Sequence, residues 1–237
     1  MVRSLFFACT YIFIYGNSVW ASVSTEAIRQ RMEWVRENAE PALIPIQGEP
    51  LNVSLALDLS AIREVDISRG EVEILAVRNI GWKNPSFSWL ENESLYKKNG
   101  DNNIHSFSMD IKNLWTPDIV AFNAVHAPEL LSPPIANVAA DGAIFYAPNE
   151  RIRFRCKLGS FESTEGTNCT LKYGSWTYHG LLIHLTANKN DFTKWNYEED
   201  ERFDLLGTYV ESETKYYPCC TEPYPDVKFI LNIRKKS

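Results

Sequence analysis

The stretch LNVSLALDLS, residues 51–60, decides the class of fold. Apolar side chains occupy every second position: Leu51, Val53, Leu55, Leu57 and Leu59. A period of two is typical of a β-strand with one buried face, because successive side chains point to opposite faces of a sheet. The stretch therefore predicts a strand that lies on an apolar core.

Segments of the same kind recur along the chain. The alternation returns near the C-terminus at Val227, Phe229, Leu231 and Ile233. Residues 151–156, 169–176 and 181–186 are also strand-like, with turn signals such as Ser68-Arg69-Gly70 and Asp141-Gly142 between the segments. Short strands at regular spacing predict an all-β protein, an immunoglobulin-like β-sandwich. No repeat or linker indicates a second domain, so we expect one domain over residues 22–237.

One helix is predicted before the first strand, over residues 26–40. Ile28, Met32 and Val35 are four and three residues apart, which places them on one apolar stripe, and Pro41 then ends the helix.

Residues 1–21 have the layout of a secretory signal peptide. Arg3 precedes an apolar run of 11 residues, and a small-residue cleavage site lies near Ala21. The run is shorter than the roughly 20 residues of a membrane span. We therefore expect a secreted, extracellular protein without membrane insertion. Three Asn-X-Ser/Thr glycosylation acceptors agree with secretion: Asn52, Asn92 and Asn168.

The charge balance argues against a nucleic-acid partner. The chain has 30 acidic and 24 basic residues, a net charge of −6, which is poorly suited to phosphate backbones. The basic cluster Arg234-Lys235-Lys236 is interpreted as a solvated tail.

Four cysteines remain once Cys9 leaves with the signal peptide, and an even set in an oxidising compartment predicts disulfides. Three pairings are open. Cys156 and Cys169 enclose 12 residues of hairpin-like composition. Cys219 and Cys220 are adjacent, and a bond between them would be strained, because their α-carbons are only about 3.8 Å apart across a trans peptide.

The sequence carries no motif of a known catalytic site, so we expect no enzyme, no cofactor and no metal. Of the four histidines, His179 and His184 are five residues apart, which puts them on opposite faces of a strand. Nucleophile elbows, phosphate-binding glycine loops and His-Glu-X-X-His are absent from the sequence. Paired acids for sugar hydrolysis remain open, since their pairing is spatial.

Aromatic residues gather beside the adjacent cysteines. Tyr216, Tyr217 and Tyr224 flank Cys219-Cys220. A second aromatic group, Trp176 and Tyr178, lies after Cys169 in the chain. Electron-rich ring faces attract quaternary ammonium ions, which predicts a site for a cationic small molecule. The alternative is that Trp176 belongs to the core and the tyrosines to the sandwich surface.

Several motifs together resemble the acetylcholine-binding proteins, soluble relatives of the extracellular domain of Cys-loop nicotinic receptors. The matching elements are Trp115-Thr116-Pro117-Asp118, the Cys156 and Cys169 spacing, Gly174-Ser175-Trp176, and the segment from Tyr217 to Tyr224. The likeness extends from the leading helix to the last strand. It implies the disulfides Cys156–Cys169 and Cys219–Cys220.

The resemblance also implies a homopentamer that binds acetylcholine or nicotine-like cations between neighbouring subunits. The principal face of that site would be formed by Phe122, Trp176, Tyr217, Cys219, Cys220 and Tyr224. The complementary face would be formed by Val77, Asn137, Phe145 and Ala147.

Two of these positions depart from the family pattern. Phe122 stands where the family has a tyrosine, which removes a hydroxyl, and Val77 stands where the neighbouring subunit normally supplies an aromatic ring. These departures favour an alternative, a receptor-like structural or decoy protein that assembles but binds cholinergic ligands weakly.

The segment between Cys156 and Cys169 is hydrophilic, whereas receptor subunits carry an apolar Phe-Pro there, and the sequence ends at Ser237 without transmembrane helices. Both features lead us to expect a soluble binding protein. A secreted lectin or enzyme with a β-sandwich fold is a more distant alternative.

Overall fold

The computed structural model describes residues 25–46, 48–90 and 104–236. The predicted signal peptide and Asn92 lie outside these ranges, whereas Asn52 and Asn168 lie inside them and are exposed. Within the described ranges the chain forms one α-helix, 13 β-strands and two 3-10 helices.

The helix α1 spans Thr25–Asn38, and the 3-10 helices span Pro85–Phe87 and Ile111–Asn113. The strands are β1 (Leu51–Asp66), β2 (Glu71–Lys83), β3 (Ser106–Asp110), β4 (Ile119–Ala121), β5 (Glu129–Leu130), β6 (Ile135–Ala139), β7 (Ala143–Tyr146), β8 (Asn149–Arg155), β9 (Thr167–Ser175), β10 (Ile183–Thr186), β11 (Phe192–Thr193), β12 (Phe203–Lys215) and β13 (Tyr224–Lys235).

Two sheets enclose one apolar core. The first sheet has nine strands, with the order β10-β1-β2-β7-β6-β3, β11 beside β1, β8 beside β2 and β5 beside β8. The second has four strands in the order β12-β13-β9-β4. Buried side chains of both sheets, such as Leu57 and Ile74 of the first and Tyr173 and Phe229 of the second, belong to a single cluster. The predicted all-β sandwich with a short N-terminal helix is confirmed.

The alternation in β1 has the predicted role. Val53, Leu55, Leu57 and Leu59 are fully buried, so the side chains between them face outward from the first sheet. The other predicted segments overlap with β8, β9, β10 and β13, with boundaries that differ by up to three residues.

The predicted helix is present but ends at Asn38, two residues earlier than expected. Val35 is fully buried, and Ile28 and Met32 pack against the core from partly buried positions. The apolar stripe therefore fastens α1 to the sandwich.

The predicted disulfide between Cys156 and Cys169 is confirmed, with a Cα–Cα distance of 5.1 Å. Cys156 follows β8 of the first sheet, and Cys169 lies in β9 of the second. The bond therefore links the two layers of the sandwich.

Among the helices of the described ranges, none is both long and apolar enough to cross a membrane.

Candidate functional site

Phe122 and Trp176 lie together at one end of the second sheet. Phe122 follows β4 and Trp176 follows β9, and these strands are hydrogen-bonded neighbours in which Val120 pairs with Gly174. The ring centroids are 6.4 Å apart and the ring planes are inclined by 39°. Trp176 is 71% exposed, so the indole belongs to the surface and not to the core.

Gly174 makes room for the Phe122 ring. A Cβ atom at position 174 would lie 2.4 Å from Cε2 of Phe122, well inside van der Waals contact. The ring therefore lies directly on the backbone of β9, on the face of the second sheet that points away from the core. The Gly-Ser-Trp segment was noted in the sequence, but this packing role of the glycine was not predicted.

Asp118 holds the segment that carries Trp176. Its carboxylate accepts hydrogen bonds from the Ser175 hydroxyl and, at 2.6 Å each, from the backbone N–H and the hydroxyl of Thr177. The backbone N–H of Trp176 donates to the Asp118 carbonyl oxygen at 3.1 Å. The Trp-X-Pro-Asp motif marked Asp118 in the sequence without giving it a role.

Tyr217 lies on the connection between β12 and β13, beside Tyr224, the first residue of β13. Their ring centroids are 5.3 Å apart with planes inclined by 72°, an edge-to-face pair. Asp226, two residues after Tyr224, pairs with Gly174 of β9. The tyrosine pair and the Phe122–Trp176 pair therefore lie at the same end of the second sheet, on neighbouring strands.

The predicted bond between Cys219 and Cys220 is not present in the structure, where both are free thiols. The described peptide bonds include no cis bond, and adjacent α-carbons across a trans peptide are about 3.8 Å apart, below the 4.4–6.8 Å range of ordinary disulfides. A hydrogen bond with Cys220 raises the pKa of the Cys219 thiol, and Cys220 likewise raises the pKa of the Tyr224 hydroxyl.

Two lysines and one buried aspartate lie beneath the aromatic rings. Asp226 is 3% exposed, and its carboxylate is 2.7 Å from Nζ of Lys172 and 3.5 Å from Nζ of Lys215. Nζ of Lys172 also lies 5.2 Å from the centroid of Phe122. Burial lowers the pKa of Lys172 against the opposing effect of Asp226. Sequence reasoning missed these residues, because their strand positions carry no motif.

The residues predicted for the complementary face lie on the first sheet. Asn137 of β6 pairs with Phe145 of β7, and both line a surface groove of about 420 Å³. Phe145 is 50% exposed, and Ala147 follows β7. Phe145 is opposite Gly81 of β2. Val77 lies on the same face of β2, four residues before Gly81. Four residues along a strand correspond to about 13 Å.

Within one chain the two predicted faces are separated by the whole sandwich. Phe122 and Trp176 lie on the outer face of the second sheet, whereas Val77, Asn137 and Phe145 lie on the outer face of the first. The two outer faces point away from each other across the core. A site that uses both sets therefore needs two copies of the chain.

Exposed ring faces of this kind attract cations, each by about 0.5–1 kcal/mol in water and by about 2 kcal/mol or more when solvent is excluded. In the part of the chain that is described, no three His, Cys, Asp or Glu side chains converge as metal ligands would.

The fold and the aromatic cluster agree with a comparison to known families. The family described as neurotransmitter-gated ion-channel ligand binding domain matches residues 29–237. The chain belongs to this family, whose ordinary name is the Cys-loop receptor ligand-binding domain.

Curated relatives include subunits of acetylcholine receptors. The chain is 29% identical over 193 residues to acetylcholine receptor subunit alpha-type acr-16 of Caenorhabditis briggsae, covering 80% of this chain and 37% of that subunit. It is 28% identical over 209 residues to neuronal acetylcholine receptor subunit alpha-9 of Gallus gallus, covering 85% of this chain and 41% of that one. The chain thus spans about two fifths of the length of these relatives.

Proposed function

We propose that this chain is a secreted, soluble subunit that binds acetylcholine and related cations between the subunits of a homopentamer, and that it is not an enzyme. The observation that carries the proposal is the exposed Phe122–Trp176 pair beside the Tyr217–Tyr224 pair. Four rings at one end of one sheet offer several faces to a single ammonium group.

The position of the two predicted faces supports a shared site. Trp176 and Phe145 lie on opposite outer faces of the sandwich and are 71% and 50% exposed. When the principal face of each copy contacts the complementary face of the next copy, the interface is head-to-tail. Such an interface closes into a ring when the rotation between neighbouring copies allows it. The names of the relatives, acetylcholine receptor subunits, favour acetylcholine as the first ligand to test.

Secretion and solubility rest on the composition of residues 1–21 and of the Cys156–Cys169 segment. Expression of the full chain in eukaryotic cells, followed by N-terminal sequencing of the medium, tests both. We expect a soluble product that begins just after Ala21. Retention of the uncleaved chain in the cell membrane would contradict this part of the proposal.

Calorimetric titration with acetylcholine tests the site itself. We expect Trp176→Ala to weaken binding by about 30-fold, because a ring worth about 2 kcal/mol is removed from a closed site. Tyr209→Ala is the matched control, since this ring is 53% exposed in the middle of β12. Light scattering should give a pentamer for all three proteins. Equal affinities of the Trp176 variant and the wild type would contradict the proposed site.

A second candidate is a protein that assembles but binds cholinergic ligands weakly. The Lys172 ammonium 5.2 Å from the Phe122 centroid favours it, because a cation of the protein already faces that ring. A pentamer that gives no binding heat with acetylcholine would identify this case. Phe122→Tyr should then raise affinity through the restored hydroxyl, by about 1 kcal/mol.

A further inference from the structure

Trp195 is the most exposed of the large hydrophobic side chains in the described ranges, at 87%. It lies between β11 and β12 and has no part in the site described so far. Tryptophan combines a large apolar surface with an electron-rich ring face, and it is enriched where proteins bind partners or ligands.

The turn that carries Trp195 is fastened to β1 on both sides. The Thr193 hydroxyl and the Trp195 backbone N–H donate to the same Asp58 carboxylate oxygen, at 2.9 and 3.2 Å. The backbone N–H of Glu198 donates to the Ser60 carbonyl oxygen at 2.8 Å. The position of Trp195 is therefore set by β1, although its indole is open to solvent.

The anchoring residue is the neighbour of Val77. Asp58 pairs with Val77 of β2 on one side and with Thr193 of β11 on the other. Adjacent strands are about 4.8 Å apart. Asp58 and Val77 both point outward, because Leu57, Leu59 and Ala76 beside them are buried. Val77 is thus one strand spacing from Asp58, and the Asp58 carboxylate is hydrogen-bonded to the Trp195 backbone.

Val77 is the position at which the complementary face lacks its expected ring. We propose that Trp195 supplies this ring, so that the complementary face presents an indole from the turn after β11 to a quaternary ammonium ligand. The inference rests on the proposed function, since it needs a ligand held between two subunits.

The charges around Trp195 suit a cationic ligand. The Asp58 carboxylate lies beneath the turn and adds negative charge to the same outer face. Lys194, the adjacent residue in the chain, lines a different cavity together with Tyr197 and Glu199.

Calorimetric titration with acetylcholine tests whether one ring can take the role of the other. The four proteins that decide this are the wild type, Trp195→Ala, Val77→Trp and the double variant. We expect Trp195→Ala to weaken binding about two- to fivefold, as for one exposed ring face. Val77→Trp should restore affinity in the Trp195→Ala background and change the wild type less, because one ring can replace the other. Trp195→Phe should lie between wild type and Trp195→Ala.

Matched controls separate this inference from the proposed function. Tyr209→Ala removes an exposed ring elsewhere and should bind as wild type. If Trp176→Ala loses affinity while Trp195→Ala does not, the inference is wrong and the proposed site stands. If neither variant changes affinity, or the wild type gives no binding heat, the proposed function fails and the inference with it. Loss of the pentamer in light scattering of Trp195→Ala would also overturn the inference, because the indole would then serve assembly.

Discussion

The backbone N–H of Trp176 donates a 3.1 Å hydrogen bond to the carbonyl oxygen of Asp118. This bond continues the pairing of β4 with β9 beyond the last residue of β9, and the Asp118 carboxylate then binds Ser175 and Thr177 on either side of the tryptophan. The most exposed ring of the principal face is therefore carried by a turn that four hydrogen bonds to Asp118 hold in place.

The Asp118 carboxylate is not a predicted contact of the ligand, but its removal should disturb the position of the Trp176 ring. We expect Asp118→Ala to lower the free energy of unfolding by about 1–3 kcal/mol, since the Ser175 and Thr177 donors lose a charged acceptor, and to weaken acetylcholine binding. Urea unfolding and calorimetry measure the two effects. Asp66→Ala is the control, because Asp66 accepts similar bonds from Ser68 and Arg69 in the turn after β1. Equal affinity losses in the two variants would contradict a specific role for Asp118.

A methyl group at position 174 should displace the Phe122 ring. The added carbon would lie 2.4 Å from Cε2 and 3.0 Å from Cζ of Phe122, so the ring must move away from β9. We expect Gly174→Ala to weaken acetylcholine binding about fivefold or more, the value of one cation–π contact. Gly159→Ala is the matched control, because a Cβ there meets no atom within 4 Å. Unchanged affinity of Gly174→Ala would show that the ring position does not matter for binding.

A buried ion pair lies between the two sheets near this site. Arg78 donates to both Glu150 carboxylate oxygens at 2.7 and 2.9 Å, and its third bond reaches the Ile119 carbonyl oxygen at 3.0 Å. We expect Glu150→Leu to lower the free energy of unfolding by about 3–5 kcal/mol, because it leaves a buried guanidinium without its carboxylate. Replacement of both partners, as Arg78→Met with Glu150→Leu, should recover most of this loss.

Urea unfolding at one fixed protomer concentration measures these differences, since the unfolding of the proposed pentamer would depend on concentration. The exposed pair of Lys235 and Glu162, at 2.9 Å, provides the comparison. Glu162→Gln should change stability by less than about 1 kcal/mol. A Glu150 variant no less stable than the Glu162 variant would mean that the buried pair contributes no more than a surface pair.

The bond between Cys156 and Cys169 should contribute substantially to stability. Closing a loop of this length is worth about 3 kcal/mol in the chain-entropy model, so we expect a loss of that order in the double variant Cys156→Ser with Cys169→Ser. Chemical denaturation under non-reducing conditions measures it. The double variant Cys219→Ser with Cys220→Ser changes two free thiols and should alter stability by less than about 0.5 kcal/mol. Similar losses in both variants would contradict a special role for the inter-sheet bond.

Local patterns in the sequence were sufficient for the class of fold. The alternation of Leu55, Leu57 and Leu59 predicted which face of β1 is buried, because the side-chain period of a strand is a local property. The spacing of Cys156 and Cys169 was compatible with a bridge, and the resemblance selected that pairing correctly. The bond between Cys219 and Cys220 was also inferred from resemblance, and the structure differs there.

Only the tertiary structure decided which side chains meet. Phe122 contacts Trp176 because β4 pairs with β9, and the Trp195 backbone is bonded to Asp58, the cross-strand neighbour of Val77, because β11 pairs with β1. Strand pairing between distant segments depends on the register that buries the apolar faces of both strands. The charges of Lys172 and Asp226 likewise meet across β9 and β13. The sequence by itself therefore determined a β-sandwich with aromatic residues near its cysteines, whereas the placement of the principal-face and complementary-face residues on opposite outer faces required the packed fold.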